Sequence, residues 1–118
     1  MATIVNSTGL PIGYTGKFAG MTSINEVNGK PVGYQQKTPW GVMHSDAQFT
    51  PIMYEQKCGN TTVYTGMDGL MKAKAIDLGN GNHWVLDSSN NTIGYWNKKA
   101  GVTSFTDGKY KLIGSIKD

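Results

Sequence analysis

A short pattern recurs along this chain at a spacing of twenty residues. It reads Gly9-Leu10-Pro11-Ile12-Gly13-Tyr14 with Lys17, then Gly29-Lys30-Pro31-Val32-Gly33-Tyr34 with Lys37. A third copy, with Phe49 where the glycine stood, is Thr50-Pro51-Ile52-Met53-Tyr54 with Lys57. The next step falls on Gly69-Leu70-Met71-Lys72, which keeps Gly-Leu and loses the tyrosine. One extra residue then brings Asn91-Thr92-Ile93-Gly94-Tyr95 with Lys98. A last unit, Lys111-Leu112-Ile113-Gly114, follows Asp107-Gly108 with an expected register shift of about two residues. A period this short means that one small supersecondary unit has been copied and stacked.

Each unit reads as a β-hairpin. Asn28-Gly29, Asp68-Gly69 and Asp107-Gly108 are strong hairpin-turn signals. Strands are expected over Thr3–Asn6, Ser23–Val27, Thr62–Thr65, Trp84–Asp87 and Thr103–Thr106, each followed by the strand that opens on the proline or its equivalent. Proline is tolerated at a strand start, where its missing N–H need not enter the ladder. Alternation places Ile12 with Tyr14, Val32 with Tyr34, Ile52 with Tyr54 and Ile93 with Tyr95 on one face, the expected core face. Met67–Leu78 is the one stretch that could pass for a helix, and the repeat register assigns it to strand.

Six hairpins have edges to hide, and closure hides them. The expected fold is therefore all-β: a single domain over residues 1–118, its six hairpin units closed into a shallow barrel or ring. A β-trefoil, which repeats every forty residues or so, is the alternative. The likeness of the first three units favours the simple ring. Sixteen glycines and a charged fraction of only 16% agree with strands and turns rather than helices.

The runs Asp87-Ser88-Ser89-Asn90-Asn91-Thr92-Ile93-Gly94-Tyr95 and Asn28-Gly29-Lys30-Pro31-Val32-Gly33-Tyr34 resemble the D-x-x-G-x-x-I-G-Y hairpin units of β-flower-type domains. Those are shallow, symmetric barrels of repeated hairpins. The resemblance implies a fold of that kind and brings no established reaction with it.

Composition narrows the partners. The net charge of +3 is carried by eleven lysines, with no arginine. Arginine supplies the planar fork used to read phosphates and base edges, so sequence-specific nucleic-acid binding is not expected. No segment approaches the ~20 apolar residues of a membrane helix. No signal peptide is seen at the N-terminus. The single Cys58 can form no disulfide within the chain. A cytoplasmic or virion-associated protein is expected.

Catalytic chemistry finds little support. His44-Ser45-Asp46 has the residue types of a hydrolytic triad, but in a strand Ser45 points away from the other two. A structural or binding role for His44 and Asp46 is the preferred reading. His44, His83 and Cys58 show no metal-ligand spacing, and Asp77–Asn82 lacks the oxygen ligands of a calcium loop. No enzyme activity, metal or cofactor is expected.

Two constellations remain. Lys17, Lys37, Lys57 and Lys98 hold one repeat position and would form a basic ring in a closed structure. Such a ring fits either an anionic metabolite or a solvated face protected against edge pairing. Trp40 lies between units, and Trp96 falls on the face opposite Ile93 and Tyr95, so both are expected either as exposed platforms or as plugs in the open ends of the barrel; Trp84 is expected in the core. Exposed indoles on glycine-rich loops suit a sugar ring or a partner. The leading expectation is thus a non-enzymatic, lectin-like module for a glycan or other small ligand. A homo-oligomeric structural protein of a virion or appendage is the second, and anion sequestration by the lysines the third.

Overall fold

The computed structural model describes residues 1–118 and contains twelve strands and no helix. The strands are β1 (Thr3–Asn6), β2 (Pro11–Phe18), β3 (Met21–Glu26), β4 (Pro31–Thr38), β5 (Gly41–Asp46) and β6 (Pro51–Cys58), then β7 (Thr61–Gly66), β8 (Met71–Gly79), β9 (Asn82–Asp87), β10 (Thr92–Lys99), β11 (Val102–Asp107) and β12 (Leu112–Lys117). Each pairs antiparallel with its neighbours in sequence, and β1 pairs with β12 to close the barrel. The trefoil alternative is thereby set aside, because all twelve strands belong to one closed up-and-down sheet. The barrel is wider than it is tall, at 36 × 34 × 21 Å.

Up-and-down order sorts the connections by end. Four-residue loops lie at one end and two-residue turns at the other. All six loops share one hydrogen-bond pattern. In the first, Asn6 N–H donates to the Leu10 carbonyl and Gly9 N–H to the Asn6 carbonyl; Asp107, Lys111 and Tyr110 repeat this in the last. The residue before the loop's end is left-handed each time: Gly9, Gly29, Phe49, Gly69, Asn90 and Tyr110 have φ between 64° and 89°. This is the turn-plus-left-handed-residue connection of a longer hairpin loop.

Asn6, Asp46, Asp87 and Asp107 cap their loops by accepting two backbone N–H bonds each, as Asp87 does from Ser89 and Asn91. Where Glu26 or Gly66 takes that place, Asn28 and Asp68 cap from two residues further on. The sixth unit therefore has no register shift. Asp107-Gly108 opens its loop, whereas Asn28-Gly29 and Asp68-Gly69 close theirs.

The expected faces need correction. Just after each loop the register slips by one residue, at Ile12, Val32, Ile52, Lys72, Ile93 and Ile113. Each is the extra residue of a β-bulge, so alternation cannot be counted across it. Ile12 and its apolar equivalents are not core; they stay about half exposed, from 47% at Val32 to 58% at Ile113. Beyond the bulge the cross-strand pairs define two faces. Tyr14, Tyr34, Tyr54 and Tyr95 share one with Val5, Ser23, Leu86 and Ser115. The other carries Lys17, Lys37, Lys57 and Lys98. Most of the small buried core lies on the tyrosine face, at Val5, Ser23, Tyr34, Leu86 and Ser115.

The extra residue before the fifth unit has a definite place. Pairing between β8 and β9 slips at Leu78, where a second kind of bulge absorbs it. Gly79, Asn80 and Gly81 then follow with positive φ. Every later unit keeps its register.

Candidate pockets on the tyrosine face

The repeat sets the same trio in two places. Tyr54, Gln56 and Thr65 line one pocket of about 320 Å³. Tyr95, Asn97 and Thr106 line another of about 390 Å³. In both, the amide lies two residues beyond the tyrosine and the threonine pairs directly across the strands with the tyrosine. An amide two residues away projects to the same side of a strand as the tyrosine. Each pocket thus joins an aromatic wall to a fixed donor–acceptor set, the mixture expected of a small-ligand site.

Of the two tryptophans singled out by sequence, Trp40 lines the smaller pocket, whereas the Trp96 side chain falls on the lysine face, opposite Tyr95 and Asn97. Trp40 follows Pro39 in the turn between β4 and β5, is 74% exposed, and forms the outer wall beside Tyr54. The Tyr54 hydroxyl is hydrogen-bonded to the Thr38 hydroxyl at the foot of that turn, which ties wall to wall. Trp96 lies behind the larger pocket, on the other face of the sheet, and is not free on both sides. His83 stacks on it at 3.5 Å between ring centroids, with planes 5° apart. Leu78, the extra residue of β8, and Asn82 complete this pocket near the turn. The Asn97 side-chain amide donates to Asn82 Oδ1 at 2.5 Å. Trp84, expected in the core, is part-buried, and its indole N–H donates to the Thr92 hydroxyl.

Above two of the tyrosines the protein supplies its own ring. Phe49 stacks on Tyr34, and Tyr110 stacks on Tyr95 at 4.6 Å. The Tyr95 hydroxyl is pushed above its ordinary pKa, chiefly by a hydrogen bond with Tyr110. Phe49 and Tyr110 hold the same left-handed loop position.

His44 and Asp46 are engaged by their own chain. His44 and Asp46 share a face and Ser45 points away, so no triad forms. His44 Nε2 lies 2.9 Å from Glu55 Oε1. Asp46 caps its loop. Glu55 also faces Tyr64 across the strands, and the Tyr64 hydroxyl is pushed up to about 12, first by burial and then by the Glu55 charge.

The four lysines do occupy one register position near the two-residue turns, each opposite the second residue past a turn or its equivalent. Asp77 and Asp118 take the two remaining places of the ring. Asp77, Lys98 and Asp118 make the same backbone bond, to the carbonyls of Asn60, Gly81 and Gly101. The ring is mixed in sign. Lys17 and Asp118 together line a third pocket of about 360 Å³. No group of His, Cys, Asp and Glu is arranged to hold a metal ion.

Tyr54, Gln56, Thr65, Tyr95, Asn97 and Thr106 were not among the sites expected from sequence. Their signal was present as Tyr-x-Gln and Tyr-x-Asn at equal repeat positions. It was masked by assigning the tyrosines to the core. No helix is long and apolar enough to cross a membrane. Set against protein-family models, curated proteins and solved structures, the chain matches none of them.

Proposed function

We propose that this protein is a non-enzymatic binding module that recognises a glycan at the repeat-related pockets around Tyr54 and Tyr95. One observation carries the reading: the same tyrosine–amide–threonine trio lines two separate pockets on one face of the sheet, with Trp40 at the wall of the first and Tyr110 at the wall of the second. The flat apolar face of a pyranose suits the aromatic wall, and its hydroxyls suit Gln56, Thr65, Asn97 and Ser104. Tyr110 already covers the Tyr95 ring, so that pocket offers its polar groups and the edge of the stack. Two unequal sites on one rigid sheet give avidity toward a ligand with repeated sugars. The β-flower resemblance accords with a barrel that acts as a scaffold. Glycan arrays followed by calorimetry test the proposal. Binding that weakens in both Trp40→Ala and Asn97→Ala supports it; no binding to any glycan overturns it.

A second reading rests on a different observation. Apart from Met1, Phe18, Trp40 and Leu78, the exposed large hydrophobic residues gather at the four-residue-loop end. An apolar rim of this extent is characteristic of an interaction surface. The rim also mixes Glu26, Asp46 and Asp87 with Lys30, Lys72 and Lys111, so a second copy can meet it without net repulsion. That supports a homo-oligomeric structural role, as in a virion or appendage. Light scattering decides: oligomers abolished by Ile52→Lys with Ile93→Lys support it, and a strict monomer at high concentration removes it.

A further inference from the structure

The trio occurs a third time, as Tyr34, Gln36 and Ser45, with Ser45 directly across from Tyr34. Here the tyrosine is covered. Phe49 lies parallel to it, Phe18 approaches at 6.1 Å, and Tyr34 is only 7% exposed. The covering residue stands fifteen positions beyond the tyrosine, at the left-handed place of the next loop. Tyr110 stands in the same relation to Tyr95. For Tyr54 that place belongs to Gly69, and even a Cβ there would touch nothing within 4 Å. Tyr14 is likewise left by Gly29, but Gly16 replaces the amide, so the polar half of the trio is missing.

We infer that the left-handed residue of each four-residue loop decides whether the tyrosine beneath it is open to ligand, and that Tyr54 is the open subsite, taking a ring with a flat apolar face in the place that Phe49 takes on Tyr34. This rests on the ring-binding reading above and assigns its principal subsite. The molecule itself demonstrates the fit, because two of the three complete trios already hold a six-membered ring in near-parallel contact. Offset stacking of this kind is favourable for aromatic rings, and a pyranose presents a comparable C–H face. Trp40 bounds the ring from the turn side, and the Gln56 amide and Thr65 hydroxyl meet its polar edge. Left-handed backbone is no bar to an aromatic residue at position 69, since Phe49 and Tyr110 both adopt φ of 64°.

The test uses the full-length, nitrogen-15-labelled protein and two sets of probes: methyl pyranosides of glucose, galactose, mannose and N-acetylglucosamine, and p-cresol. Resonances of Tyr54, Gln56 and Thr65 are followed by NMR. The expected result is a saturable shift with a ring probe, weakened at least about tenfold in Gly69→Phe, whose new ring covers Tyr54. Phe49→Gly should open a second site, seen as new shifts at Tyr34, Gln36 and Ser45. Tyr54→Ser, with a wild-type-like spectrum elsewhere, replaces Gly69→Phe if that variant does not fold. Shifts with p-cresol alone keep the open subsite and remove the glycan reading. Pyranoside shifts confined to the Tyr95 pocket keep the glycan reading and overturn this inference. Unchanged binding in Gly69→Phe, or no new site in Phe49→Gly, also overturns it.

Discussion

Phe49 lies against Tyr34 with ring centroids 4.3 Å apart and planes 16° from parallel. It does so from a left-handed backbone position that glycine fills in three of the other loops. The stack and the strain oppose each other in the free energy. Stacking contributes about 0.5–1.5 kcal/mol beyond area burial, while left-handed backbone costs a non-glycine residue about 1–2 kcal/mol.

Two substitutions separate these effects. Phe49→Ala loses the ring and keeps the strain; Phe49→Gly loses the ring and relieves it. The glycine variant should be more stable than the alanine variant by about 1 kcal/mol. Urea denaturation of the pair checks this, and equal midpoints would show that the loop carries no backbone strain.

A second prediction concerns the glycine that follows most bulges. A Cβ at Gly13 would meet the Asn25 carbonyl oxygen at 2.6 Å, and one at Gly114 the Val5 carbonyl oxygen at 2.7 Å. Gly94 is tighter still against Thr106. Gly94→Ala should cost about 1–3 kcal/mol through forced backbone movement. Met53 and Ala73 hold the same place in their units, which keeps the cost from being larger. Gly16→Ala is the control: its new methyl meets the mobile Ser23 hydroxyl at 3.1 Å and should cost less.

The repeat was legible in sequence because it rests on local chemistry. Proline, asparagine, aspartate and glycine recur at fixed offsets and impose the same turn each time. The faces were not legible, since a bulge at Ile12 or Ile93 leaves no mark in the alternation of apolar residues. One inserted residue in the pairing moves every later side chain across the sheet. How far the Tyr54 and Tyr95 rings are covered was hidden for another reason. It depends on which loop residue, fifteen positions away, lies over the ring. The six-unit count and the strand status of Met71–Gly79 came through because the period itself carried them.

Acid should weaken the loops in a defined window. Backbone N–H groups, of Asn91 for Asp87 and of Lys111 and Lys109 for Asp107, hold these carboxyls below their ordinary value of 3.8. Asp68 is lowered too, first by its hydrogen bond from Lys72. A folded value below the unfolded one gives stability that is present above about pH 4 and is lost as pH falls through the folded values. Melting temperature should therefore hold down to about pH 5 and then drop. Asp87→Asn with Asp107→Asn keeps the capping oxygen, as Asn6 does in the first loop, and should flatten the drop.

The opposite sign applies at alkaline pH. Tyr64 is raised to about 12, so the unfolded chain releases this proton first, and stability falls as pH rises from 10 through the folded value. Ultraviolet titration should find Tyr64 ionising late, with Tyr95 also displaced upward by its hydrogen bond with Tyr110. Glu55→Gln removes the smaller cause and should bring Tyr64 partway back toward 10, leaving the part due to burial. No change on that substitution would show that Glu55 exerts no field at Tyr64.

Leu78 gives the molecule an orientation mark. A wheel whose spokes were all alike could not tell a visitor how far it had been rotated. One surplus residue, taken up within β8 and leaving its neighbours in step, gives a single spoke a bulge beside its turn that no other spoke has. Anything that seats across the hub, however regular its own form, meets that bulge at one angular setting alone.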